Sequence, residues 1–178
     1  EIDVEDFEQS KQDEYHIRNN KPQYLTVEEY QKLVNSAENL RDEIMIRLLW
    51  QTGVRVEEAS KIKLSDIDRE NYSILVRNAK SKKHQKTRTR TVYYNRKFSI
   101  LLRKYIDQGY RKGFVGTSEE KEDQGHLLVS NERYKLGKQY ITKKVAEIAE
   151  KAGIQEVMYT NKAGQEMKRV NAHLLRKS

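Results

Sequence analysis

The chain has 178 residues, 36% hydrophobic and 35% charged, with no cysteine and a formal net charge of +8. That length allows one domain with a real core, or one domain and a short appendage. No apolar run approaches the roughly 20 residues needed to span a bilayer, the acidic opening "EIDVEDFEQS" is no signal peptide, and the lack of cysteine rules out a disulfide framework or thiolate metal site and fits a reducing cytoplasm.

Residues 1–14 hold seven acids and one lysine, a local charge of −6, so residues 15–178 carry +14. Residues 1–21 show no sustained apolar period and run into the only proline, Pro22; they read as a linker ahead of one domain over 22–178. "LTVEEYQKLVNSA" opens with Thr26 and Glu29 as a capping box, and Tyr30, Leu33, Val34 and Ala37 then form one helical stripe. "RDEIMIRLLWQTG" is apolar on nearly all sides and predicts a core helix ended by Gly53. "VRVEEASKIKL" restarts as a short helix, and "LSDIDRE" reads as a turn.

"YSILVRN" and "TRTVYYN" are β-branched and aromatic runs on either side of a basic stretch, the pattern of a hairpin with a long tip. "FSILLRKYI" places Phe98, Leu101, Leu102, Tyr105 and Ile106 on one helical face, while "GYRKGFVGTSEEKEDQG" reads as a surface loop. "HLLVS" is a candidate short strand. "YITKKVAEIAEKAG" is a helix capped by Gly153, "TNKAGQEMK" a polar loop, and "NAHLLRKS" the start of a final amphipathic helix. The expected fold class is α+β, mainly α: a helical domain with a small antiparallel hairpin.

Three cationic elements stand out. "KSKKHQKTRTR", residues 80–90, holds six Lys or Arg and no acid. It is either a solvated loop or a cationic tip laid against a nucleic-acid backbone, with Lys82, Lys83, Lys86, Arg88 and Arg90 as the phosphate-binding candidates. Arg55 follows a glycine turn at a predicted helix start, where unpaired N–H groups suit an anion, and Glu58 is spaced to hold its guanidinium. His173 and Arg176 stand at i, i+3 and share one patch. The four histidines (His16, His84, His126, His173) lack paired carboxylates at ligand spacing, so neither a metal nor another cofactor is expected. The excess of positive charge points to nucleic acid. An RNA-binding domain is the weaker reading, because Tyr93 and Tyr94 are the only paired aromatics.

In order and chemistry this resembles the catalytic domain of the tyrosine recombinase (phage integrase) family. The residues that carry the resemblance are Thr52, Gly53, Arg55 and Glu58 followed by Leu64, Asp66 and Ile67; "LVRNAKSKK", with Lys80 at the family's hairpin lysine; and His173, Leu174, Leu175, Arg176 as His-x-Leu-Arg. Lys82, Lys83 and Lys86 are near competitors of Lys80, and Lys177 stands where many members carry a second histidine. The resemblance implies site-specific cutting and rejoining of double-stranded DNA through a 3′-phosphotyrosine, with Arg55, Lys80, His173 and Arg176 catalytic and Glu58 supporting. It implies no cofactor, a homotetramer on DNA in the complete protein, and a cytoplasmic, nucleoid-associated setting without a membrane. None of the eleven tyrosines lies after Arg176, so the nucleophile is assigned to none of them, and this chain is expected to bind DNA without cutting it. The alternative is a non-catalytic DNA-binding module or the remnant of a split integrase.

Overall fold

The computed structural model describes residues 24–77, 89–115, 123–130, 135–161, 164 and 166–178. At its centre lies α2 (Leu40–Thr52), whose Ile44, Met45, Ile46, Leu48 and Leu49 are completely buried. Its even spread of apolar side chains is the mark of a helix covered on most sides. Asn39 caps its start by accepting from the Asp42 N–H, and Gly53, at φ 59°, ends it in the left-handed region that a residue with a Cβ enters at a cost. The Thr52 hydroxyl donates to the Leu48 carbonyl one turn back, which settles this polar side chain against its own helix.

Around this rod pack α1 (Val27–Asn35), which has the expected Thr26–Glu29 capping box, and α4 (Arg96–Asp107), which buries Phe98, Leu102 and Tyr105. Also packed against the core is α6 (Lys138–Lys151), through Ile141, Val145, Ile148 and Ala149. The short α3 (Val56–Ala59) leads into a 3-10 turn at Leu64–Asp66. Three antiparallel strands follow, β1 (Ile67–Asp68), β2 (Ser73–Arg77) and β3 (Thr89–Tyr93), in that order across the sheet. Ile74 faces Val92 and Val76 faces Arg90 across β2 and β3. The last element, α7 (Ala172–Lys177), sinks Leu174 and Leu175 into the core beside α2.

Three expectations need correcting. The stretch predicted as a loop from Gly109 begins with a short helix, α5 (Tyr110–Val115). It is secured by buried Arg111, which donates to the His126 carbonyl at 2.8 Å and pairs with Asp123. "HLLVS" forms no strand: His126 and Val129 make single bridges to Lys63 and Lys135, and the segment is kept by burial of Leu127, Leu128 and Val129. Part of the predicted polar loop is a hairpin, β4 (Val157–Thr160) with β5 (Glu166–Lys168). Its strands lack an alternating pattern because both faces stay largely exposed; order comes from its base, where Gln155 bonds both the N–H and the carbonyl of Val170 at 2.8 Å. Residues 1–21, read as a linker, lie outside the described residues.

The beginning of the described chain is tied to its end. Arg169 grips the Glu29 carboxylate at 2.7 and 3.1 Å, and the Leu25 N–H donates to the Ser178 hydroxyl at 2.6 Å. Among the described residues no helix is long and apolar enough to cross a membrane. Because Leu49 is fully buried on the central rod, Leu49→Ala should destabilise the fold by about 2–5 kcal/mol. A lower urea midpoint at unchanged slope is the expected reading.

Candidate active site

The end of α2 and the start of α7 meet. Arg176 reaches from α7 to donate its Nε–H to the Gly53 carbonyl at 2.7 Å. That carbonyl is one of the unpaired acceptors at the end of α2, so the bond both caps the helix and fixes the guanidinium plane. A Cβ on Gly53 would sit 3.7 Å from the Arg176 carbonyl oxygen, an ordinary contact. The left-handed backbone, rather than crowding, is what glycine supplies there.

α7 starts where it does because Asn171 caps it. The Asn171 side-chain oxygen accepts from the His173 and Leu174 N–H groups at 3.0 Å each, while its amide nitrogen holds the Arg169 carbonyl. This turns His173 outward and Leu174 and Leu175 inward. His173, Arg176 and Arg55 line one cleft of about 360 Å³, together with Val56, Glu57, Lys138, Thr142, Asn171 and Ala172. At roughly 30 Å³ per water this is room for about a dozen waters, more than one phosphate group fills.

Arg55 sits at the mouth, its side chain 54% exposed. One of the N–H groups expected to stand open at this helix start is taken. α3 is a single turn, and the Arg55 N–H is already donated to the Glu58 carboxylate at 2.8 Å. The guanidinium therefore carries the positive charge. Its Nη1 lies 3.3 Å from Glu58, a long contact, so Glu58 restrains it only loosely.

The stronger partner of Glu58 is Arg90. Both terminal nitrogens of Arg90 donate to the two Glu58 oxygens at 2.8 Å, a forked pair. The Glu58 side chain is fully buried. Burial alone would raise its carboxyl, but the Arg90 guanidinium, the Arg55 N–H and the charges of both arginines outweigh this and hold it at about 2. Arg90, grouped from sequence with the hairpin tip, thus stands at the hairpin's base and points at a carboxylate. Lys80, Lys82, Lys83, Lys86 and Arg88 lie outside the described residues.

Glu57, on the cleft rim, is paired with Lys61 at 3.0 Å, and that contact lowers its carboxyl below the ordinary range. Asp66 plays a structural part: its carboxylate accepts from the Lys63 N–H at 3.0 Å and is paired with Arg77. Sequence reasoning missed Lys138, Thr142 and Asn171. Asn171 had a readable signal, an Asn just before the periodic run; Lys138 and Thr142 had none, because only the packing of α6 brings them to the cleft. Among the described residues no group of three or more His, Cys, Asp or Glu stands ready to hold a metal.

Phage integrases, as a sequence family, match residues 23–178. The chain belongs to this family. It is 36% identical over 90 residues to tyrosine recombinase XerA of Saccharolobus solfataricus, a match covering 51% of this chain and 29% of that protein. A crystal structure of XerA recombinase superposes with a TM-score of 0.66 at 26% identity, over 88% of this chain and 48% of that one. XerH bound to palindromic difH substrate has the same fold, with a TM-score of 0.61 at 23% identity, over 88% of this chain and 40% of that one. The chain thus spans about half, or less, of the relatives it matches.

The state of Glu58 sets a test in acid. Its folded value of about 2 lies below the ordinary 4.5, so its contribution is complete above about pH 4.5 and is lost as pH falls towards 2. A shift of that size is worth roughly 3 kcal/mol. Wild type should therefore lose stability over this window relative to Glu58→Gln, whose own pH dependence lacks that component. Parallel stability curves for the two proteins from pH 5 to pH 2.5 would count against the assignment.

Proposed function

We propose that residues 22–178 are the catalytic domain of a tyrosine-type site-specific DNA recombinase. The observation that carries this reading is the single cleft lined by Arg55, His173 and Arg176. Family membership adds to it, and the match opening at residue 23 agrees with a domain that starts after an acidic linker. The substrate is double-stranded DNA, which the +14 charge on residues 15–178 attracts.

In the reaction, a tyrosine oxygen gives up its proton to solvent and bonds to the scissile phosphorus as the bond to the 5′ oxygen breaks. Negative charge builds on the two non-bridging oxygens. Arg55 and Arg176 receive that charge as bidentate donors and His173 as a further hydrogen-bond donor, with no metal needed. Arg176 comes to the phosphate already oriented by its bond to the Gly53 carbonyl. Lys80 supplies a proton to the leaving 5′ oxygen; a lysine crowded by other cations gives up its proton more readily. The covalent phosphotyrosine conserves the phosphodiester energy, so rejoining requires no nucleotide cofactor. The attacking tyrosine is assigned to none of the eleven in this sequence. From the family resemblance, the complete protein assembles as a homotetramer on its site.

Duplex binding tests the reading directly. The chain should bind duplex DNA in preference to single-stranded RNA, with affinity falling steeply as salt rises. Replacing Lys82, Lys83 and Lys86 together with alanine should flatten the plot of log K against log salt by about 0.9 for each phosphate no longer engaged. No duplex binding at 50 mM salt would overturn the proposal. In the complete protein, Arg55→Ala or Arg176→Ala should lower the cleavage rate on the order of 10³–10⁵-fold, by analogy with arginines that stabilise phosphoryl transfer. Single-turnover cleavage of a labelled duplex measures it.

A further inference from the structure

Arg90 lies in a lysine- and arginine-rich stretch, and from composition it reads as one more phosphate-binding cation. Its surroundings give it a different task. Across the sheet it faces Val76, which is buried, and its neighbour in the same column is the pair Ile74–Val92. The side chains of β3 alternate, with Thr89, Thr91 and Tyr93 exposed and Arg90 and Val92 half-buried. A period of two therefore sends Arg90 to the inward face, while the residues on either side of it face solvent.

There its two terminal nitrogens are both engaged with Glu58, at 2.8 Å each. To swing its guanidinium out onto a DNA phosphate, Arg90 would have to abandon a carboxylate whose side chain is wholly buried; held in place, its side chain is 38% exposed but its charge is already answered by Glu58. Leaving that charge without its main partner is costly. The same two carboxylate oxygens receive the Arg55 N–H and the Arg55 Nη1. One carboxylate thus joins the base of the lysine-rich hairpin to the turn that presents Arg55.

We propose that Arg90 is a positioning residue: through Glu58 it fixes the Arg55 backbone, from which the guanidinium extends, at the mouth of the phosphate cleft, and it does not itself touch DNA. This rests on the reading of that cleft as a phosphate site.

The test compares the 178-residue chain with Arg90→Gln and Arg90→Lys by three measurements. These are hydrogen exchange of the Arg55 backbone amide, binding of inorganic phosphate followed on the Arg55 Nε–H resonance, and the salt slope of duplex binding. With Arg90→Gln the Arg55 amide should exchange on the order of tenfold faster, and phosphate should bind on the order of tenfold more weakly, the scale at which partners of a binding group act. The salt slope should stay as in wild type, because every phosphate keeps its partner. Arg90→Lys keeps the charge but offers a point donor in place of a fork. It should restore the melting temperature while recovering only part of the phosphate affinity, and it carries the test if Arg90→Gln fails to fold. An Arg55 amide and a phosphate affinity unchanged in both variants would overturn the proposal. So would a slope reduced by about 0.9, the mark of a direct phosphate contact. If wild type itself binds no phosphate, the reading of the cleft fails, and the Arg55 amide alone decides whether Arg90 holds Arg55.

Discussion

The cationic face of this domain is organised by one buried carboxylate. Glu58 takes a forked pair from Arg90 and a backbone N–H from Arg55. A free carboxylate in that place would be costly to bury, and two nearby guanidinium groups without it would repel each other. Together they satisfy one another, and the acid remains ionised down to about pH 2. The anion is what allows a cluster of cations to be packed in a fixed geometry and still leave one guanidinium, that of Arg55, half exposed at the cleft.

A second constraint acts at the other wall of the cleft. The end of α2 needs a partner for its last carbonyl groups, and Arg176 supplies one at Gly53. The helix terminus thereby becomes a mount for a side chain that lines the cleft. Burial of Leu174 and Leu175 presses α7 against the core, and Asn171 sets where α7 begins. Two segments more than a hundred residues apart are thus aligned by a cap, a turn and two leucines. No ion pair between the site's own cations is required, nor would one be possible.

Much of this is legible in the sequence. Thr26 and Glu29 announce the first helix, the apolar run ended by Gly53 announces the central one, and Phe98, Leu102 and Tyr105 mark the buried face of α4, because helix periodicity and capping chemistry are local. The illegible parts follow from the same physics. α5 depends on Arg111 finding Asp123 and the carbonyl of His126, 12 and 15 residues further along the chain. The β4–β5 hairpin depends on Gln155 meeting Val170. Neither leaves an apolar period, so neither announces itself in a short window of the chain. Arg90 shows the limit from the other side: its local composition matches the lysines of the tip, but the pleat of β3 turns it inward.

The sequence by itself determined the inventory: which of the longer helices form, which side chains are apolar enough to be core, and which residue types suited to a phosphodiester occur in the order arginine, lysine, histidine, arginine. These are properties of near neighbours along the chain, set by backbone periodicity and the charge of individual groups. Only the tertiary structure decided that Arg55, His173 and Arg176 share one cleft, that Lys138 and Thr142 border it, and that Arg90 answers Glu58. Those are distances between remote segments, fixed by how α2, α6 and α7 bury their apolar faces together, and no spacing along the chain encodes them.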